Sequence, residues 1–144
     1  MLTGLARDKL DDATQTLGSV QQNLLAAQQQ LTMLEDYLLD YRKRLQSAVQ
    51  QGLSAAGWQN YQRFIATLEG AIREQRNVVS QVDRQVDAAR DSWRACKQRL
   101  NSFDTLSERR ARVEAISANR REQRDNDEFS ARMMRQRAGH GSLA

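Results

Sequence analysis

The chain has no proline, and its 144 residues include only seven glycines. Domains built on tight turns draw heavily on both, so long uninterrupted helices are expected instead. Aromatic residues make up 6%, too few for an ordinary mixed core of this size. A single cysteine, Cys96, excludes an internal disulfide framework and fits a reducing compartment. A single histidine, His140, added to that cysteine supplies neither a metal-ligand set nor a Cys/His nucleophile pair. No run of 18 apolar residues occurs, so no transmembrane helix is expected. Met1-Leu2-Thr3-Gly4 lacks a basic-then-apolar pattern, so a cleaved export signal is not expected. Gly52 and Gly57 have the glycine spacing of a phosphate loop, but Trp58 follows where Lys-Ser/Thr is needed, and no strand precedes. With no cofactor motif and carboxylates scattered over solvent faces, the expectation is a protein without cofactors that is not an enzyme.

What the sequence does have is periodicity. Leu10, Leu17, Leu24, Leu31, Leu38 and Leu45 recur every seven residues, with Ala13, Val20, Ala27, Leu34, Tyr41 and Ala48 between them. Such an a/d seam keeps one stripe of a helix on its partner over the whole length. The pattern stops at Gln51-Gly52-Leu53-Ser54, where Gly52 suits a helix end and Ser54 the next N-cap. A second seam follows: Tyr61, Ile65, Leu68, Ile72, Gln75, Val79, Val82, Val86, Ala89, Trp93, Cys96, Leu100 and Phe103, with only Gln75 polar. The expected fold is all-α, two long helices forming an antiparallel coiled-coil hairpin in one domain over residues 1–144. Helix 1 is placed at about 5–50, the turn at 51–56, helix 2 at 57–137 and a disordered tail at 138–144. A parallel homodimer is the competing architecture.

At 1.5 Å per residue the helices differ in length, about 65 Å against about 120 Å. Helix 2 should therefore overhang from near Asn101 to Arg137, helped by Glu108–Arg112 and Glu128–Arg132 pairs at i,i+4. The chain holds 22 Lys+Arg and 18 Asp+Glu, a net charge of +4. Arginine is concentrated in the overhang, which suggests nucleic acid. Glu108, Glu114, Glu122, Asp125, Asp127 and Glu128 interleave with those arginines, and stacking aromatics are scarce. A solvated mixed-charge helix is favoured over nucleic acid, with an acidic protein partner between the two readings.

In an antiparallel pair the two g flanks lie on the same side of the seam. Gln30 and Tyr37 flank Leu34 and Tyr41, and Phe64 and Ala71 flank Leu68 and Gln75. The turn brings both groups to one height near the hairpin tip. The strip reads either as a protein-docking site or as a wide seam that tucks its flank residues in.

The sequence resembles the FliJ family of flagellar export proteins. The resemblance is carried by Tyr41-Arg42, Gly52, Trp58-x-Asn60-Tyr61-Gln62-x-Phe64-Ile65-x-Thr67-Leu68-Glu69-x-Ala71-Ile72, Ser92-Trp93-Arg94, Lys97-Gln98-Arg99-Leu100, Asn119-Arg120, Gln123 and Asp127-Glu128-Phe129-x-x-Arg132. Order and spacing match from about Leu31 to Arg132. The resemblance implies a stalk-like antiparallel coiled coil in the cytoplasm, peripherally associated with the inner membrane at the flagellar base. Implied partners are the hexameric export ATPase, the cytoplasmic portion of the export-gate membrane protein, and export chaperones of late substrates, with no nucleic acid. The family's gate-contacting surface falls on Gln30, Leu34, Tyr37, Tyr41, Phe64, Leu68, Ala71 and Gln75. Enteric relatives carry histidine where this chain has Gln75, a departure at the polar edge of that contact. The overhang is then the candidate ATPase-facing end, through Arg109, Arg112, Arg120, Arg124, Asp127, Glu128 and Arg132. The equivalent stalk of a virulence-type secretion system and a generic coiled-coil scaffold are the alternatives.

Overall fold

The computed structural model describes residues 1–141. Two helices account for the described residues, α1 (Leu2–Gln51) and α2 (Ala55–Gly141). They pack side by side as an antiparallel hairpin. Proline is absent throughout, so nothing in either helix removes a backbone donor.

Gly52 ends α1 with φ +94, a left-handed conformation that costs a side-chain-bearing residue about 1–2 kcal/mol. Its N–H donates to the Val49 carbonyl at 3.2 Å. Ser54 caps α2: its Oγ accepts from the Gly57 N–H at 3.1 Å, and its carbonyl accepts from the Trp58 N–H at 2.9 Å. Leu53 folds over Gly57, where an added Cβ would sit 2.6 Å from Leu53 Cδ1. Three residues thus reverse the chain, a tighter turn than the six expected.

Both seams face inward. Every a and d position from Leu10 to Ala48 and from Tyr61 to Phe103 is buried or half-buried. Ala27, Leu45, Ile65, Leu68, Ile72, Val86 and Leu100 are the most enclosed of them. Three cross-helix contacts fix the alignment. Tyr41 lies against Tyr61, with ring centroids 5.3 Å apart. Gln75 Nε2 donates to the Ala27 carbonyl at 3.0 Å, and Trp93 Nε1 donates to Thr14 Oγ1 at 2.9 Å. The Thr14 hydroxyl donates onward to the Leu10 carbonyl at 2.8 Å.

The observed boundaries depart from expectation at three places. The seam starts one heptad earlier, because half-buried Thr3 and buried Ala6 occupy the a and d positions before Leu10. α1 therefore reaches Phe103–Arg110 of α2, where Met1, Leu2 and Thr3 line a shallow groove with Phe103, Leu106, Ser107 and Arg110. α2 continues through 138–141, expected to be tail, since Gly139 costs a helix only about 1 kcal/mol and does not break it. The remaining tail positions, 142–144, lie outside the described residues.

From Thr105 to Gly139 every residue except Ser117 is exposed. Past Arg110 the overhang is a single helix with no other element beside it among the described residues. Neither Glu108–Arg112 nor Glu128–Arg132 closes as an ion pair. Among the described residues the pairs are Arg42–Glu69, Arg44–Asp40 and Arg90–Asp87. Two exposed long side chains gain too little at i,i+4 to be held in one geometry.

Candidate functional site

The residues that gather at one place lie on the g flank, one to four helical turns from the bend. Tyr41 is a d residue and leans across the seam, its ring centroid 4.3 Å from Phe64 and 6.1 Å from Tyr37. Tyr37 and Phe64, both g residues, are themselves 6.1 Å apart. Tyr61 completes a four-ring cluster beneath them. The outer pair stays open to solvent: Tyr37 is 50% exposed and Phe64 37%. Aromatic rings at such spacings attract one another by about 0.5–1.5 kcal/mol beyond their burial, so the inner Tyr41 holds both outer rings in place.

The other members of the strip divide by burial. Gln30 is exposed, while Leu34, Ala71 and Gln75 are half-buried. Leu68 is 7% exposed and belongs to the seam itself. Its side chain supports the strip from below and offers no surface. Gln75 spends an amide N–H on the Ala27 carbonyl, which turns its polar end into the seam's edge.

The opposite, e, flank has different chemistry. Arg42 Nη2 donates to Glu69 Oε1 at 2.9 Å, from one e position to another. These two residues open a groove of about 580 Å³ lined also by Glu35, Asp36, Arg73 and Arg76. Its walls carry both signs of charge and both partners of the bridge are well exposed, so solvent screens the attraction to about 1 kcal/mol or less. The pair was detectable in the sequence as opposite charges at facing e positions. The acceptors of Trp93 and Gln75 carried no such signal.

The arginines and carboxylates of the overhang do not converge. Arg109, Arg112, Arg120, Arg124, Asp127, Glu128 and Arg132 are all exposed. At 1.5 Å and 100° per residue they spread over about 35 Å and wind around more than half of the helix. Among the described residues no group of three or more His, Cys, Asp and Glu side chains could hold a metal ion. No described helix is long and apolar enough to cross a membrane.

Comparison with known proteins decides the family. The model of the flagellar FliJ protein family matches residues 1–139. The chain belongs to the FliJ family. Flagellar FliJ proteins of Escherichia coli strain K12 and of Salmonella typhi are each 40% identical to it over 131 residues, 91% of this chain and 89% of theirs. The match extends through the turn, the aromatic cluster and the overhang alike.

Proposed function

We propose that this FliJ-family chain is a non-enzymatic, stalk-like component of the flagellar type III protein export apparatus. It binds and stimulates the hexameric export ATPase, contacts the cytoplasmic portion of the export-gate membrane protein, and helps recycle export chaperones of late substrates. It works in the cytoplasm, held peripherally at the inner membrane at the flagellar base. The observation that carries this reading is the pairing of two unlike ends on one rigid rod. Near the bend, Tyr37 and Phe64 stand exposed side by side on one flank. At the other end a solitary, arginine-bearing helix extends past its partner.

Membership of the flagellar FliJ family supports the flagellar part. A rod can enter a ring with one end and reach a second partner with the other. Exposed aromatics with small neighbours suit a protein contact, because such rings carry much of the energy where they are desolvated. The overhang, with Arg109, Arg112, Arg120, Arg124, Asp127, Glu128 and Arg132, is assigned to the ring, and Gln30, Leu34, Tyr37, Tyr41, Phe64, Ala71 and Gln75 to the gate, with Leu68 as support. The test is the turnover of the flagellar export ATPase with and without this chain. Stimulation that is lost when α2 is cut after Asp104 supports the reading, and unchanged turnover with the full chain overturns it.

A further inference from the structure

We propose that the g flank beyond the aromatic pair is a docking track for one helix of a partner protein. That helix has an uncharged contact face and an acidic end beside Lys9 and Arg99. The Tyr37–Phe64 contact fixes g beside g, and the Arg42–Glu69 bridge fixes e beside e. The heptad repeat then assigns every other flank position. Travelling from the aromatic pair away from the turn, the g flank presents Gln30, Asn23 and Thr16 from α1 and Ala71, Val78, Gln85 and Ser92 from α2. None is charged. Over the same heptads α2 places Glu69, Arg76, Asp83, Arg90 and Lys97 on the e flank.

A coiled coil ordinarily keeps both flanks charged. On this flank the g positions are free of charge for about 42 Å, from Phe64 to Ser92 at 1.5 Å per residue, so these side chains can be stripped of water without burying an unpaired ion. Val78, 40% exposed, stands in the middle of it as an apolar contact. Further along, Ala13, Val20, Ala88 and Ala89 help line a shallow groove of about 410 Å³ on the same side, whose single charged lining residue is the exposed Asp12.

Charge selects the occupant. At the turn end the flank is closed by Arg44, already paired with Asp40 at 3.1 Å. At the far end Lys9 and Arg99 are exposed, and neither forms an ion pair among the described residues. An acidic helix end would complete them. A second copy of the rod suits the flank poorly, because parallel docking sets Lys9 and Arg99 on their own copies and antiparallel docking sets them near Arg44.

The track shares Gln30 and Ala71 with the strip assigned to the gate, but Val78 and Gln85 lie beyond that strip, so a test placed at these two is separate from the gate reading. The photoreactive residue p-benzoylphenylalanine is placed in the full-length chain, in motile cells, at Val78 and Gln85, and for comparison at Asp83 and Arg90. The linked peptides are sequenced. The expected result is at least fivefold more product from the first pair, joined to a helical segment of another protein with no charge on one face and Asp or Glu at one end. Lys9→Glu with Arg99→Glu should cut that yield at least fivefold while helicity, read by circular dichroism, stays unchanged. Equal yields from the two flanks would overturn the proposal. So would a linked segment charged on its contact face, linkage to a second copy, or yields indifferent to the Lys9 and Arg99 changes.

Discussion

Tyr41 touches Tyr37, Tyr61 and Phe64, while Tyr37 and Phe64 each keep a free face. That division of labour predicts different phenotypes within a few ångströms. Tyr37→Ala or Phe64→Ala removes an exposed ring and should weaken binding to the export gate by about 2 kcal/mol if the ring is an anchor. Melting should fall by less than about 1 kcal/mol. Titration calorimetry beside thermal denaturation separates the two effects, and a collapse in melting with intact binding would make the strip mere core. Tyr41→Ala should harm both, since it unseats its neighbours. Gln75 poses a subtler case. The Ala27 carbonyl it donates to lies within α1, where the helix ladder also serves it, so Gln75→Leu strands no buried group. Thermal stability should hold or rise by about 1 kcal/mol, while the alignment of the helices, which a polar seam residue specifies at a cost in stability, becomes less unique. A broadened distance distribution between spin labels across the seam would show it. Leu68 marks the limit of sequence reading at this scale. Heptad position placed it on the correct flank, but position alone cannot say which d residues turn fully inward, and Leu68 does.

At the scale of the element, the seams were legible because a 3.5-residue period is redundant. Each of the twelve positions from Leu10 to Ala48 predicts the others, and no single substitution hides the pattern. The facing of g to g followed from chain reversal alone. What escaped notice was whatever the period does not encode. Thr3 is polar, so the first heptad was invisible although its place in the stripe is buried enough to count. The overhang's ion pairs were permitted by spacing but not strong enough to hold exposed side chains. These facts bear on two predictions. Ile72 is 4% exposed in the middle of the hairpin, so Ile72→Asp loses its burial and drives a carboxylate into the seam. The cost should be about 3 kcal/mol or more, read as a large fall in the denaturation midpoint. Gly52→Ala strains the turn at φ +94 and should cost about 1–2 kcal/mol, with both helices otherwise intact.

For the whole molecule, rigidity and loose ends must coexist. Between Thr3 and Phe103 each helix is gripped by the other along a seam that is apolar except at Thr3 and Gln75. Past Arg110, α2 has no second helix packed against it among the described residues: its side chains from 111 to 139, Ser117 apart, are exposed, and Arg121 Nη2 reaches Ser117 Oγ at 3.5 Å along the helix itself. Isolated helices owe most of their stability in proteins to tertiary packing. The amides of residues 111–137 should therefore exchange with solvent much faster than those of 65–100, and gain protection when the export ATPase is added. Unchanged exchange would remove the overhang from the ring. The same rod makes a sharper demand on its arrangement in space. Gln29 and Asn77 occupy outward f positions at one height of the hairpin, so labels there should be separated by the interaxial distance of 8–10 Å plus two side-chain arms, about 20–35 Å in all. In a parallel dimer of straight helices the same two positions of one chain lie about 70 Å apart along the axis. Dilution with unlabelled chain suppresses pairs between molecules, and a short distance that survives dilution can arise only from one chain folded on itself. Such a chain alone brings Tyr37 and Phe64 together, so this distance tests the proposed gate contact and the proposed track at once.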